Sequence, residues 1–471
     1  LLAVTASVVV TTATTRSARA HAFLLESNPV DSSVVDSPPE RVYLRFDEPV
    51  TLSPQSIQLL DATGKRIPLP PADHVDGNAT TAGTTLPDDL ANGTYAIAWR
   101  VTSDDSHIVS GAVQFSIGAP SAIVVTAKHS DAVPAIVQGI ARGVAFLGFA
   151  LALGGFVFLQ LMWSAGRDDR RARRILGLGV VSLAAATVVI FLAQGPLATG
   201  ESLTTALSKA AWDATMGSVL GPAMLVRMVL LAGLGLVVGF LAVRRRGRAD
   251  EGLTPVAPRP LSRAMLGIVG VYTLAITATW PLADHARSGL QKQLAVPATA
   301  VHLLAMALWM GGVVLLVLTV LALRRSAEPE RVGAVHGALE RFSTVAQACF
   351  IALAVTGVYL SWRQVGTAKA LIYTNFGRLL LVKLAIVLAI VALAAGARAF
   401  VRRHRSRAAE QDTTSALRRL RFRLGGEVVF GVAVIGVTAA LVNTPPARTA
   451  YTPPFHTTKR IEAGPGTSPA L

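Results

Sequence analysis

Two groups of residues carry donor atoms at spacings that suit a metal ion. In VHLLAMALWMGG, His302, Met306 and Met310 recur every four residues, setting an imidazole and two thioethers close to one helix face. These are soft donors that favour Cu(I). In WRVTSDDSHIVSG, Asp105 and His107 are two apart, so in an extended segment their side chains point the same way. A third donor residue comes from the start of the chain. Residues 1–20, LLAVTASVVVTTATTRSARA, read as a signal segment, and Ala18-Arg19-Ala20 suits cleavage after Ala20. His21 is then the mature N-terminus, where α-amine and imidazole chelate one ion through two nitrogens. His21, Asp105 and His107 together suit tetragonal Cu(II), although Zn(II) can use the same ligands. Each group also has a plainer reading. An Asp-x-His pair is common among solvated surface residues, methionine fills membrane cores well, and an intramembrane histidine often bonds a neighbouring helix.

The elements that hold these residues differ sharply in composition. The chain of 471 residues is 52% hydrophobic and only 15% charged. A soluble protein carries nearer a quarter charged residues, so an ordinary cytosolic enzyme is excluded. Residues 21–118 are acidic, with 13 Asp/Glu against 5 Lys/Arg, while the whole chain has a net charge of +16. The basic excess lies in short loops between apolar blocks, which marks membrane topology rather than nucleic-acid binding. Within 21–118, Val42, Leu44 and Phe46, then Tyr95, Ile97, Trp99 and Val101, then Val113, Phe115 and Ile117, alternate at period two. Short half-buried strands separated by turns such as Asp61–Gly64 imply a small all-β sandwich, Ig-like and Greek-key in kind.

After a linker at 119–133, residues 134–443 read as an all-α polytopic bundle of eight transmembrane helices. The spans fall near 134–163, 175–197, 219–243, 263–282, 296–323, 342–362, 378–400 and 424–443. Arg-rich loops at 167–174, 244–248, 324–331 and 402–423 alternate with loops poor in Lys/Arg, so the basic set is assigned to the cytoplasm. The sandwich and the Pro-rich tail 444–471 then face outside, as a cleaved signal peptide also requires. Intramembrane polar residues are costly and point to function. Besides His302 these are Arg142, Arg227 and Lys383, expected to pair with carboxylates or carbonyls or to shape the cavity potential. Met224 and Met228 form a second i,i+4 pair. Asp284 and His285 read as a solvated loop pair rather than an entry site, Cys349 as a buried structural thiol rather than a Cu(I) acceptor, and His74 as a solvated loop residue rather than a ligand.

Two resemblances follow from these motifs. H-A-x-L-x-x-S-x-P at 21–29, with W-x-V-x-S-x-D-x-H-x-x-x-G at 99–111, resembles the periplasmic copper-binding CopC family. That resemblance implies Cu(II) ligation by His21, Asp105 and His107, with Glu26 behind them. Residues 21–118 contain no Met, so the Met-rich Cu(I) site of some members is not expected. V-H-L-L-A-M-A-L-W-M-G-G (301–312), R-F-S-T-V-A (341–346) and F-G-R-L-L-L-V-K-L-A (376–385) are similar to CopD, an inner-membrane copper-resistance family.

The reading that joins these observations is a copper importer in the bacterial plasma membrane, not an enzyme. The sandwich captures Cu(II), and the bundle passes copper, as Cu(I), past His302, Met306 and Met310. The chain shows no flavin, haem or nucleotide motif, so reduction falls to an external reductant, and a copper chaperone is a further possible partner. The alternative is copper sequestration or delivery outside the membrane without transport. A haem enzyme needs paired axial histidines on facing spans, and His302 is the only histidine well inside a span.

Overall fold

Period-two alternation builds the first domain. The computed structural model describes residues 22–103, 108–121, 132–250, 262–283, 291–322, 329–405 and 413–451. Within it, RVYLRF forms β3 (Arg41–Phe46), which buries Val42, Leu44 and Phe46. β3 lies between β1 (Leu24–Asn28) and β7 (Thr81–Thr85) in an antiparallel three-stranded sheet. The facing sheet is built on the long β8 (Gly93–Ser103) and β9 (Ile108–Ile117), flanked by β2 (Ser33–Val35), β5 (Ile57–Leu60) and β6 (Arg66–Ile67). The two-residue β4 (Val50–Thr51) pairs with the end of β8. Tyr95, Ile97, Trp99, Val113, Phe115 and Ile117 close on the β3 residues in one core, with Phe46 edge-on to Trp99 at 5.3 Å. Tyr95 also donates its hydroxyl to the Ala91 carbonyl at 2.7 Å, pinning the turn that starts β8. The expected sandwich is present.

Among the described residues, the second domain has eight helices long and apolar enough to cross a membrane. They are α1 (Val133–Met162), α2 (Arg170–Thr199), α4 (Leu220–Asp250), α5 (Arg263–Ala278), α6 (Lys292–Ala322), α7 (Pro329–Val365), α9 (Asn375–Arg405) and α10 (Thr413–Val442). Short helices α3 (Lys209–Gly217), α8 (Ala368–Tyr373) and α11 (Ala447–Ala450) lie between or after them. Val271, Leu236 and Val358 are 70–76% exposed, an arrangement that only a lipid surface makes favourable.

The helix ends follow simple electrostatics. The Asp169 carboxylate accepts from the Arg171 and Ala172 amides at the positive end of α2. At the end of α1, Arg341 donates from Nη2 to the Met162 carbonyl at 2.7 Å, and Arg167 to the Gln160 carbonyl at 2.9 Å. Cations there offset the negative helix terminus.

The sequence did not announce how α1 crosses the membrane. It runs through two π turns, Ala150–Gly154 and Phe158–Met162. The first lies against α6, where a Cβ at Gly154 would overlap the Ala307 carbonyl and one at Gly311 the Ala150 carbonyl. Only glycine allows that backbone approach, the way small residues join membrane helices.

Candidate functional site

His302 lies nine residues into the span Gln293–Leu318, about 14 Å along the helix at 1.5 Å per residue. Its ring is half-buried against α7. Nδ1 sits 2.9 Å from the Thr356 hydroxyl oxygen, and a Cβ at Gly357 would lie 3.4 Å from Cε1. Thr356 donates its only hydroxyl proton to the Ala352 carbonyl at 2.5 Å, so toward His302 it accepts. The proton therefore sits on Nδ1, and the Nε2 lone pair remains available. Metal-binding histidines are oriented in this way by a partner on the other nitrogen.

Met306 and Met310 continue the same face of α6. Met306 is half-buried, whereas Met310 is fully buried. The Met310 sulfur rests on α10, where a Cβ at Gly431 would come within 2.6 Å of it. Both belong to the main core of the bundle, together with buried Met224 and half-buried Met216 and Met228. Five of the seven methionines thus share one cluster. The i,i+4 spacing of Met224 and Met228 signalled part of it, but isolated Met216 gave no signal. Lys383 of α9 is half-buried within electrostatic reach of His302.

His21, Asp105 and His107 lie outside the described residues, as do Asp284 and His285. The residues that flank the first three converge. Ala22 is buried in the sandwich core, and the Phe23 amide donates to the Asp47 carboxylate at 2.7 Å, just past the end of β3. Ser103 and Ile108, which bracket 104–107, end β8 and begin β9, and Val50 pairs with Ser103. The start of β1, the end of β3 and the tip of the β8–β9 ladder thus meet at one end of the sandwich. Gly111 is required nearby because the Trp99 ring lies across it, leaving no room for a Cβ.

Most of the remaining candidates have structural partners. Arg142 donates to the Asn443 side chain at 2.9 Å and the Val442 carbonyl, as expected of a carbonyl-paired cation. Arg227, 1% exposed, instead donates Nε to the Thr279 hydroxyl at 2.7 Å and stacks 3.6 Å from the Trp280 ring centroid. Cys349 is buried and free. His74 is half-buried rather than solvated, with Nδ1 2.7 Å from the Thr81 carbonyl oxygen. Glu26 accepts from Arg45 Nε at 2.9 Å on the sandwich surface. Among the described residues no group of three or more His, Cys, Asp or Glu is placed to hold a metal.

Comparison with known proteins decides the family. The CopC domain matches residues 24–118, and Copper resistance protein D matches residues 336–441. Copper resistance protein C of Xanthomonas campestris pv. juglandis is 32% identical over 123 residues, covering 25% of this chain and 94% of that protein. The chain is a CopC–CopD fusion. Copper transport protein CutJ of Bacillus subtilis is 26% identical over 451 residues, 94% of this chain and 78% of that protein. The crystal structure of CopC from Methylosinus trichosporium OB3b shares 32% identity, covering 22% of this chain and all of that one, with a TM-score of 0.19. The CopD match spans α7, α9 and α10, so the VHLLAMALWMGG stretch carrying His302 lies outside it.

Proposed function

We propose that this CopC–CopD fusion is a copper importer of the plasma membrane. The CopC domain takes Cu(II) outside the cell through His21, Asp105 and His107, and the bundle moves copper inward past His302, Met306 and Met310. The observation that carries this reading is the His302 ring inside a span, with Nδ1 held by Thr356 and Nε2 left to a ligand. The similarity to a copper transport protein along 94% of the chain supports it.

Orientation rests on the contacts of α2. Its first five residues include Arg170, Arg171, Arg173 and Arg174, and the CopC domain touches its other end at Leu197. Arginine clusters stay cytoplasmic, so the CopC domain is extracytoplasmic. Thioether and imidazole ligands suit Cu(I), so an external reductant precedes membrane passage, and a copper chaperone is a candidate partner.

The test is copper uptake into proteoliposomes holding a Cu(I)-sensitive fluorophore, with copper and ascorbate outside. Uptake by the intact protein, lost in His302→Ala, supports import. No uptake above empty liposomes contradicts it and favours the second reading, extracytoplasmic sequestration or delivery. The resistance functions in the names of CopD and the Xanthomonas relative favour that second reading.

A further inference from the structure

The CopC domain meets the bundle through the end that carries its copper-site strands. Arg100 of β8 donates from Nη2 to the Leu197 carbonyl at 2.7 Å. Leu197 lies in the last turn of α2, where carbonyls have no intrahelical partner and the helix dipole is negative. The guanidinium therefore caps α2. Gly200, at φ 76°, closes that helix, and a Cβ there would sit 3.3 Å from Arg100 Nη1. Thr51 of β4 donates to the Gly217 carbonyl at 3.4 Å, and Ser53, Ser56 and Thr102 line the same cleft as Ala198 and Ala214. Gly93 and Ile117 pair at the opposite end of the β8–β9 ladder, so the chain leaves the sandwich away from the bundle. These contacts join the two domains.

Directly beside the contact is a thioether. Met216 adjoins Gly217, is half-buried, and belongs to the cluster that holds Met224, Met228, Met306 and Met310. Gly221 lets α4 close tightly on this turn, since a Cβ there would meet the Thr215 carbonyl. We propose that Met216 is the first membrane-domain ligand to take copper from the docked CopC domain, as Cu(I), and that Arg100 is the positioning residue that holds the two together. Met224 and Met228, one turn apart on α4, carry the ion on toward the His302 face of α6. Three thioethers make a soft site that discriminates against Zn(II) and Cu(II). The electron that converts Cu(II) to Cu(I) comes from an external one-electron reductant of the ascorbate class, itself oxidised to its radical.

This proposal rests on the import reading, and its test separates the two. The full chain, in phosphatidylcholine/phosphatidylglycerol liposomes, carries Thr51→Cys and Gly217→Cys on a Cys349→Ala background. A Cβ at Gly217 would lie 3.3 Å from the Thr51 methyl, which brings cysteines at the two positions close enough to test for a disulfide. The cross-linked peptide is expected by mass spectrometry after mild oxidation, and the locked protein is expected to keep its uptake of copper supplied with ascorbate. Met216→Leu, which keeps volume and removes sulfur, and Arg100→Gln are each expected to slow uptake about tenfold. X-ray absorption on the Cu(I)-loaded chain is expected to show weaker Cu–S scattering, with one sulfur fewer, in Met216→Leu. Absence of the disulfide, loss of uptake on locking, or wild-type rates in both substitutions overturns the proposal. If the intact protein moves no copper, import fails. The disulfide and the Met216-dependent Cu–S signal then decide docked transfer on their own.

Discussion

His302 and Thr356 are joined side chain to side chain across two spans, 2.9 Å from Nδ1 to Oγ1, with the threonine as acceptor. The bond fixes both the tautomer and the direction of the imidazole. Thr356→Val keeps the shape and removes the acceptor, so it is expected to lower Cu(I) affinity about 10–100-fold. Thr356→Ser is expected to restore most of it. Competition with a chromophoric Cu(I) chelator, run on both variants and on His302→Ala, measures the effect. Equal affinity in Thr356→Val and the native protein would remove the orienting role.

The close approach of α1 and α6 makes a second expectation. Gly311→Ala drives a methyl into the Ala150 carbonyl and the Gly154 backbone, both parts of rigid helices. Overpacking of this kind costs about 1–3 kcal/mol. A lowered midpoint of thermal unfolding in detergent is expected, while Gly233→Ala, where a Cβ meets nothing within 4 Å, leaves the midpoint unchanged.

In the CopC domain, Tyr95→Phe removes the hydrogen bond to Ala91 while keeping the ring stacked on Phe115 at 5.7 Å. The expected loss is about 1 kcal/mol. It is read as a shift in denaturation of the β domain with Cu(II) binding intact.

Much of this architecture was legible because its causes are local. Val42, Leu44 and Phe46 alternate because β3 has one wet face, and the eight apolar blocks are as long as a bilayer is thick. Boundaries shifted modestly: the second span starts at Arg170 rather than 175, because Asp169 caps it with arginines in its first turn. His302 stood out because a histidine inside a span is costly. Its partner Thr356 did not, because the pair is 54 residues apart and depends on helix packing. Nor did Arg100 and Leu197, whose contact joins two domains. Of the two expectations for Arg227, pairing with a carboxylate or carbonyl gave way to Thr279 and Trp280, since a hydroxyl and a ring face also stabilise a buried guanidinium.

The proposed Cu(II) site of His21, Asp105 and His107 gives a test of processing. One extra residue ahead of His21 takes the free amine out of the chelate while leaving the imidazole. Cu(II) affinity is expected to fall at least tenfold, about 1.4 kcal/mol, with one nitrogen fewer in the electron paramagnetic resonance spectrum. Unchanged affinity and spectrum would show that the α-amine is not a ligand.

The most direct test of import is cell copper in a deletion strain grown at limiting external copper, carrying no gene, the intact gene, or His302→Ala at matched expression. Import through the bundle requires that the intact protein raise cell copper and that His302→Ala leave it at the level of the empty strain. Cell copper that stays level or falls with the intact protein would contradict import.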